Sequence, residues 1–182
     1  MNKTLLINIG VPSVLFVIIG GYLSKIIETI LLEMILGIFL VVLSLLFLIK
    51  KDLVIKPKRN ESIIGGTLSG FTAGLLGTGG AIRGLTMAAF NLEKSVFIAT
   101  SAAIDFAVDL SRTVVYYQNG YIQKSILIYV PFLLIVGFFG TYIGKRILNY
   151  IPQEKFKTIS LILILIIGII TLGNYFFGSA FT

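Results

Sequence analysis

The stretch of sequence that decides the fold of this 182-residue chain is 65–80, which reads GGTLSGFTAGLLGTGG. Eight of the chain's 19 glycines lie between residues 65 and 84. Glycine costs roughly 1 kcal/mol against alanine inside a helix, so the three glycines within 77–80 are expected to interrupt one. We therefore predict two half-helices, 62–77 and 80–91, that meet at a non-helical elbow formed by residues 77–80.

The sequence on both sides of this stretch is typical of membrane helices. Apolar residues make up 57% of the chain and charged residues 13%, which excludes an ordinary soluble domain and a nucleic-acid-binding module. A helix needs about 20 apolar residues to cross the hydrocarbon core of a bilayer. Segments of this length lie at roughly 4–24, 29–49, 97–117, 125–147 and 158–177. We predict an all-α, polytopic membrane helix bundle, a single integral membrane domain over 1–182, with the lipid bilayer as its surroundings.

The residue types that are missing exclude several classes of chemistry. The chain has no cysteine and no histidine, so it lacks thiolate metal ligands, disulfides and the commonest general base. We therefore predict neither an enzyme nor a protein with a metal or cofactor, and no nucleic-acid partner.

The basic residues favour one arrangement across the membrane. They cluster in 50–61 and in 145–157, and the positive-inside rule places both loops and the N-terminus in the cytoplasm. Both loops can face one side only if the element 62–92 enters the membrane and returns. The charges therefore favour a re-entrant hairpin and inverted repeats.

Three glycines of the opening stretch recur every four residues. Gly66, Gly70 and Gly74 lie on one face of a helix, where a second helix can approach closely. The elbow differs from this stripe because its backbone is not helical. Its N–H and C=O groups have no helical partner, so at membrane depth they need hydrogen bonds from protein or from a polar cavity. Broken helices of this kind build the binding sites of secondary transporters.

Two parts of the chain resemble one another. Residues 20–27, GGYLSKII, align with 140–147, GTYIGKRI, at a constant offset of 120. We interpret 1–49 as the second half of a first repeat and 62–177 as the second repeat. The glycine element precedes only the second copy, so we expect an incomplete transporter that lacks a first glycine element. Chance alignment of apolar helices is the alternative.

The glycine run 65–80, followed by Ala99-Thr100-Ser101 at the start of the next helix, resembles the signature of the TauE/SafE family of sulfite exporters, also called toluene-sulfonate uptake permeases. The resemblance implies an internally duplicated membrane transporter of sulfur-containing or organic anions. The chain departs from the family pattern at Ala81, where a further glycine is common, and at Arg83-Gly84, where a proline is common. On this basis the predicted substrate-binding residues are Gly77, Thr78, Gly79, Gly80, Arg83, Thr100 and Ser101.

Four ionisable residues fall where lipid is expected, namely Arg83, Asp105, Asp109 and Arg112. Each costs about 2.5–3.5 kcal/mol at a helix centre, so they should face protein or water. We interpret Arg83, beside a half-helix N-terminus, as a contact for the anion. Asp109 would neutralise Arg83 or Arg112 and accept a proton if transport is proton-coupled. Asp105 ranks lower because no arginine follows it three or four residues along its helix. The alternative is that the cluster only fixes helix packing.

These observations favour a secondary transporter in the cell membrane, the inner membrane of a bacterium or archaeon, that moves sulfite, a sulfonate or a related organic anion. The alternative is a truncated or half-transporter subunit without autonomous activity. Coupling to protons or sodium ions stays open, as does assembly with a second copy or a complementing half. We interpret Glu33, about one turn into the second span, as reaching the membrane interface.

Overall fold

The computed structural model describes residues 2–27, 29–50, 54–122 and 128–178. Throughout these ranges the regular structure is helical, which confirms the predicted all-α class. The helices are α1 (Lys3–Leu23), α2 (Thr29–Ile49), α3 (Arg59–Leu76), α4 (Gly80–Ala89), α5 (Lys94–Gln118), α6 (Val130–Tyr150) and α7 (Gln153–Gly178).

Four of the described helices are long and apolar enough to cross a membrane, namely α1, α2, α6 and α7. The sequence predicted a fifth span at 97–117, and this segment does form the 25-residue helix α5. It does not belong to the four, because Asp105, Asp109 and Arg112 interrupt its apolar surface. The helix is therefore long enough to span the bilayer but polar along one side.

The predicted break in the glycine-rich element is confirmed. Helix α3 ends at Leu76, α4 begins at Gly80, and residues 77–79 are non-helical. Gly77 adopts φ +76°, in the left-handed region that favours glycine, and closes the last turn of α3 by donating to Ala73 O.

Helix α4 packs back along α3 to form a hairpin. The Ser69 hydroxyl donates to Gly79 O at 2.8 Å, and a Cβ atom on Gly65 would overlap the Thr86 side chain. At the far end, Ile55 N donates to Ala89 O at 2.9 Å, so the end of α4 lies beside the segment that leads into α3. Both ends of the α3–α4 hairpin thus lie at one end of the bundle.

The glycine stripe of α3 is covered by α1, which runs parallel to it. Cβ atoms on Gly66, Gly70 and Gly74 would overlap the backbone of α1 residues one turn apart, which are Ile9, Ser13 and Val17. The Ser13 hydroxyl also donates to Gly66 O at 3.0 Å. The absent side chains allow backbone to touch backbone, as the stripe predicted.

The remaining contacts fix the direction of the other helices. Helix α5 runs alongside α1, since Gly10 lies against Ile104 and Gly21 against Val115. Helices α2 and α7 are antiparallel, with Gly37 against Leu172 and Gly168 against Leu40.

The two basic loops lie at one end of the bundle. The Gln153 side chain at the start of α7 donates to Leu92 O at 3.2 Å, close to where the hairpin ends. The described part of the loop 50–61 reaches the same place through Ile55. This agrees with the arrangement that the charges favoured, while the cytoplasmic assignment stays a prediction.

Helix α6 lies outside the packed bundle. None of its residues is buried, and within the described chain nothing lies within 4 Å of a Cβ atom built on Gly137, Gly140 or Gly144. The Lys94 ammonium holds its C-terminal end by donating to Leu148 O and Ile151 O at 3.0 and 2.9 Å. The small-residue face of α1 is therefore covered by α3, whereas that of α6 is open.

Candidate anion-binding site

The centre of the candidate site is Arg83, which lies one turn into α4 and is 2% exposed. Side chains on a helix point back toward its N-terminus. The guanidinium of Arg83 accordingly folds toward Gly80, where a Cβ atom would lie 3.6 Å from Nη2. The N-cap residue, Gly79, has no side chain to accept hydrogen bonds from the first amides of α4. A cation and free backbone N–H groups therefore lie together, and both favour an anion.

Helix α5 supplies the polar partners of Arg83. The Nε of Arg83 donates to Ser101 Oγ at 3.2 Å, and the Nη2 of Arg83 is paired with the carboxylate of Asp105. The Ser101 hydroxyl donates to the other carboxylate oxygen at 3.3 Å. Ser101 and Asp105 are four residues apart and so share one face of α5.

The sequence interpretation expected Asp109 to neutralise Arg83 or Arg112 and ranked Asp105 lower, whereas the structure pairs Arg83 with Asp105. That ranking considered only arginines along the same helix, whereas the partner of Asp105 lies on α4. Asp109 pairs instead with Arg112, at 2.8 Å and three residues further along α5.

Arg112 serves mainly to hold the elbow. Its Nη1 donates to Gly77 O at 2.6 Å and reaches Ala73 O at 3.4 Å. A cation at the C-terminus of α3 is favoured by the helix dipole, and it satisfies the carbonyl of Gly77, which lies beyond the last turn of α3. Tyr116 assists, because its hydroxyl donates to Gly74 O at 2.8 Å and its ring lies 5.8 Å from the Arg112 guanidinium.

The other predicted substrate-binding residues do not all meet at Arg83. Gly77 and Gly80 are exposed at the elbow, while Gly79 is buried in the hairpin against Ser69. Thr100 is fully buried, and its hydroxyl has no hydrogen-bond partner within the described ranges. Thr78 is exposed and lines a separate cavity beside Glu33.

Sequence reasoning gave no role to Ser69 and did not place Tyr116 at the elbow. Ser69 lies within the glycine run, and a small hydroxyl side chain among helix-contact glycines is the available signal for a bond between helices. Tyr116 lies four residues beyond Arg112 and therefore on the same face of α5. That spacing is the signal for its contact with the elbow.

The depth of the site follows from the contacts already described. Gly79, just before α4, packs on Ser69, and the next residue along α3, Gly70, packs on Ser13. Ser13 is the middle residue of the spanning helix α1. The N-terminus of α4 is therefore level with the centre of α1.

Residues 1–171 of the sequence match the family described as "Sulfite exporter TauE/SafE". The chain belongs to the TauE/SafE family. Comparison with curated proteins and with solved structures gives no match. The TauE/SafE match covers the elbow, both ion pairs and all four helices that are apolar enough to cross a membrane, except for the last residues of α7. This is a family of membrane transporters, and the chain is a multi-pass membrane protein.

Proposed function

We propose that this TauE/SafE protein is a secondary transporter that moves sulfite, a sulfonate or a related organic anion across the cell membrane of a bacterium or archaeon. The observation that carries the proposal is the Arg83–Asp105 pair beside the N-terminus of α4. The arginine is 2% exposed, whereas the side chain of its counter-ion is 46% exposed. A buried cation with an accessible counter-ion is a suitable site for an exchangeable anion.

The anion and Asp105 compete for one guanidinium. Arginine presents several N–H donors in a plane and binds carboxylate, phosphate and similar oxyanions through two parallel hydrogen bonds. Without substrate, Ser101 accepts from Nε of Arg83 and Asp105 from its Nη2. With substrate, the oxyanion takes the place of Asp105 at the guanidinium. The free amides at the N-terminus of α4 then donate further hydrogen bonds to the oxyanion, which Asp105 does not receive.

The hairpin supplies the moving part. We propose that the α3–α4 hairpin is re-entrant, entering and leaving the membrane at the end that holds the basic loops. The level of Gly79 with the centre of α1 supports a site near the bilayer midplane, as in transporters built from broken helices and inverted repeats. Arg112 ties the elbow to α5, so movement of α5 carries the elbow with it.

The alternative function is that of a half-transporter. It is favoured by one observation, the open face of α6, whose three glycines have no neighbour within 4 Å in the described chain. A second element with a glycine stripe would cover this face as α3 covers α1. In that case the chain transports only in an assembly with a complementing half or a second copy.

Flux into proteoliposomes tests the proposal. The purified chain is reconstituted and uptake of radiolabelled sulfite is measured, with unlabelled toluene-sulfonate and chloride as competitors. We expect saturable uptake that R83Q abolishes. R59Q is the matched control, because Arg59 is exposed at the start of α3 and loses the same charge. Equal loss in both variants, or full uptake by R83Q, contradicts a substrate role for Arg83. Absence of uptake by the folded wild-type chain favours the half-transporter.

A further inference from the structure

A polar cavity that does not include Arg83 lies beside the elbow. It has a volume of about 140 Å³ and lies between the start of α2, the end of α7 and the elbow. Its lining consists of Glu33, Leu36, Leu76, Thr78, Thr171 and Asn174. Four of these six residues carry side-chain oxygen atoms, although two of the elements that form the cavity, α2 and α7, are apolar enough to cross a membrane.

Glu33 is the charged group of this cavity. It belongs to the spanning segment Ile30–Ile49. Within the described residues the carboxylate of Glu33 forms neither an ion pair nor a hydrogen bond. Ionisable groups in membrane helices are costly and usually pair with a protein group or an ion. Reaching the interface would explain the position of Glu33 one turn into α2, but not its place in a cavity beside Asn174 and Thr171.

The end of α3 adds to the negative potential of the cavity. The last carbonyl groups of a helix have no amide partner and carry a partial negative charge. Arg112 and Tyr116 occupy the carbonyls of Ala73 and Gly74, on the side that faces α5. Leu76, the last residue of α3, lines the cavity itself. The carboxylate of Glu33 favours a cation here, and the end of α3 adds a smaller part because Arg112 already offsets its partial charge.

The donor set identifies the kind of cation. Carboxylate, hydroxyl and amide oxygens are hard ligands that suit alkali and alkaline-earth ions. The Thr171 hydroxyl donates to Ile167 O at 2.9 Å, so its lone pairs remain able to bind an ion. Among the described residues no three acidic side chains lie together, and this cavity has a single carboxylate. One negative charge balances a monovalent ion.

We propose that this cavity binds a sodium ion. The elbow then lies between two binding sites. The N-terminus of α4 and Arg83 bind the anion, and the C-terminus of α3 and Glu33 bind the cation. Opposite ends of broken helices serve these two purposes in other transporters. Sodium binding stands on the cavity alone, whereas its role as the ion coupled to transport rests on the proposed function.

Thermal unfolding of the full chain in nanodiscs tests sodium binding. Circular dichroism at 222 nm is followed in sodium chloride, potassium chloride and choline chloride at equal ionic strength. We expect a saturable, sodium-specific rise of about 3–6 °C at ten times the Kd. E33Q should lose this rise. E154Q is the matched control, because Glu154 is exposed at the start of α7, and it should keep the rise.

Two further measurements keep the test decisive if E33Q does not fold. N174L removes a neutral oxygen and should shift the sodium midpoint about tenfold higher, and direct binding of ²²Na⁺ to the wild-type chain should saturate. No sodium-specific rise and no ²²Na⁺ binding overturn the proposal. Stabilisation by acid in place of sodium also overturns it and assigns Glu33 to a proton. Sodium binding without anion flux supports the sodium site and contradicts the proposed function. Sodium-independent anion flux with no ²²Na⁺ binding supports the proposed function and contradicts the sodium site.

Discussion

The guanidinium of Arg83 on α4 is paired with the carboxylate of Asp105 on α5, 22 residues further along the chain. The pair joins the returning half of the hairpin to the helix that packs beside α1. Its two members differ in environment, since the side chain of Arg83 is 2% exposed and that of Asp105 is 46% exposed. This asymmetry sets the cost of removing either member.

Replacing Asp105 should destabilise the protein more than replacing Arg83. D105N leaves a fully buried arginine without its counter-ion, which we expect to cost about 3–5 kcal/mol. R83Q leaves the half-exposed carboxylate of Asp105 with the Ser101 hydroxyl as its hydrogen-bond donor, so we expect a smaller cost of about 1–2 kcal/mol. Thermal unfolding of the two variants in detergent measures the difference.

The double variant R83Q/D105N removes one charge of each sign. We expect it to regain most of the stability that D105N loses, while anion uptake stays absent because no neutral amide replaces the cation. Return of both stability and uptake would show that the pair only fixes helix packing. D109N supplies the control, because Asp109 is 59% exposed and pairs with Arg112; its stability should change by less than about 1 kcal/mol.

Gly70→Ala should separate α1 from α3. The new Cβ atom would overlap the backbone of Ser13, which cannot move aside as a side chain does, so we expect a loss of about 1–3 kcal/mol. The matched control is Gly137→Ala, which meets no atom within 4 Å in the described chain and gains helix propensity. Equal unfolding temperatures for the two variants would contradict the close contact between α1 and α3.

Gly77→Ala should strain the elbow. Gly77 has φ +76°, and an alanine there costs about 1–2 kcal/mol. Asparagine tolerates the left-handed region better, so Gly77→Asn should retain more stability than Gly77→Ala. The unfolding temperatures of both variants give the order, and a reversed order would mean that the elbow does not need this conformation.

Labelling of single cysteines tests the re-entrant hairpin. The native chain contains no cysteine, so Lys56→Cys and Glu154→Cys can be labelled selectively from either side of a vesicle. We expect both to react from the same side, because the hairpin returns to the end where it starts. Gln118→Cys, at the last and exposed residue of α5, is the control and should react from the opposite side. Labelling of Lys56→Cys and Glu154→Cys from opposite sides would rule out re-entry.

The elbow and the glycine stripe could be predicted because both depend on local properties of the backbone. Several glycines within 77–80 break a helix wherever it lies, and glycines four residues apart always share a face. The sequence therefore predicted α3, α4 and the close approach of another helix. It could not identify α1 as that helix, because the partner's contribution is backbone rather than any residue pattern.

The partners of the charged groups could not be predicted in the same way. Spacing along α5 gives Asp105 no partner, because its partner, Arg83, comes from α4 through the tertiary fold. For Glu33 the sequence shows only the distance from the start of α2, and this distance predicts a side chain that reaches the membrane interface. The antiparallel packing of α7 brings Thr171 and Asn174 to the same cavity.

The depth of the N-terminus of α4 along α1 also determines how strongly the membrane potential acts on a charge bound there. An anion at Arg83, level with the centre of α1, has crossed about half of the electric field from whichever side it entered. Half of the field is worth about 1.2 kcal/mol per elementary charge for each 100 mV. If the proposed site binds its anion there, the affinity depends on voltage, and the dependence has opposite sign for the two sides of the membrane. The position of one helix end would thereby make the proposed transport sensitive to voltage.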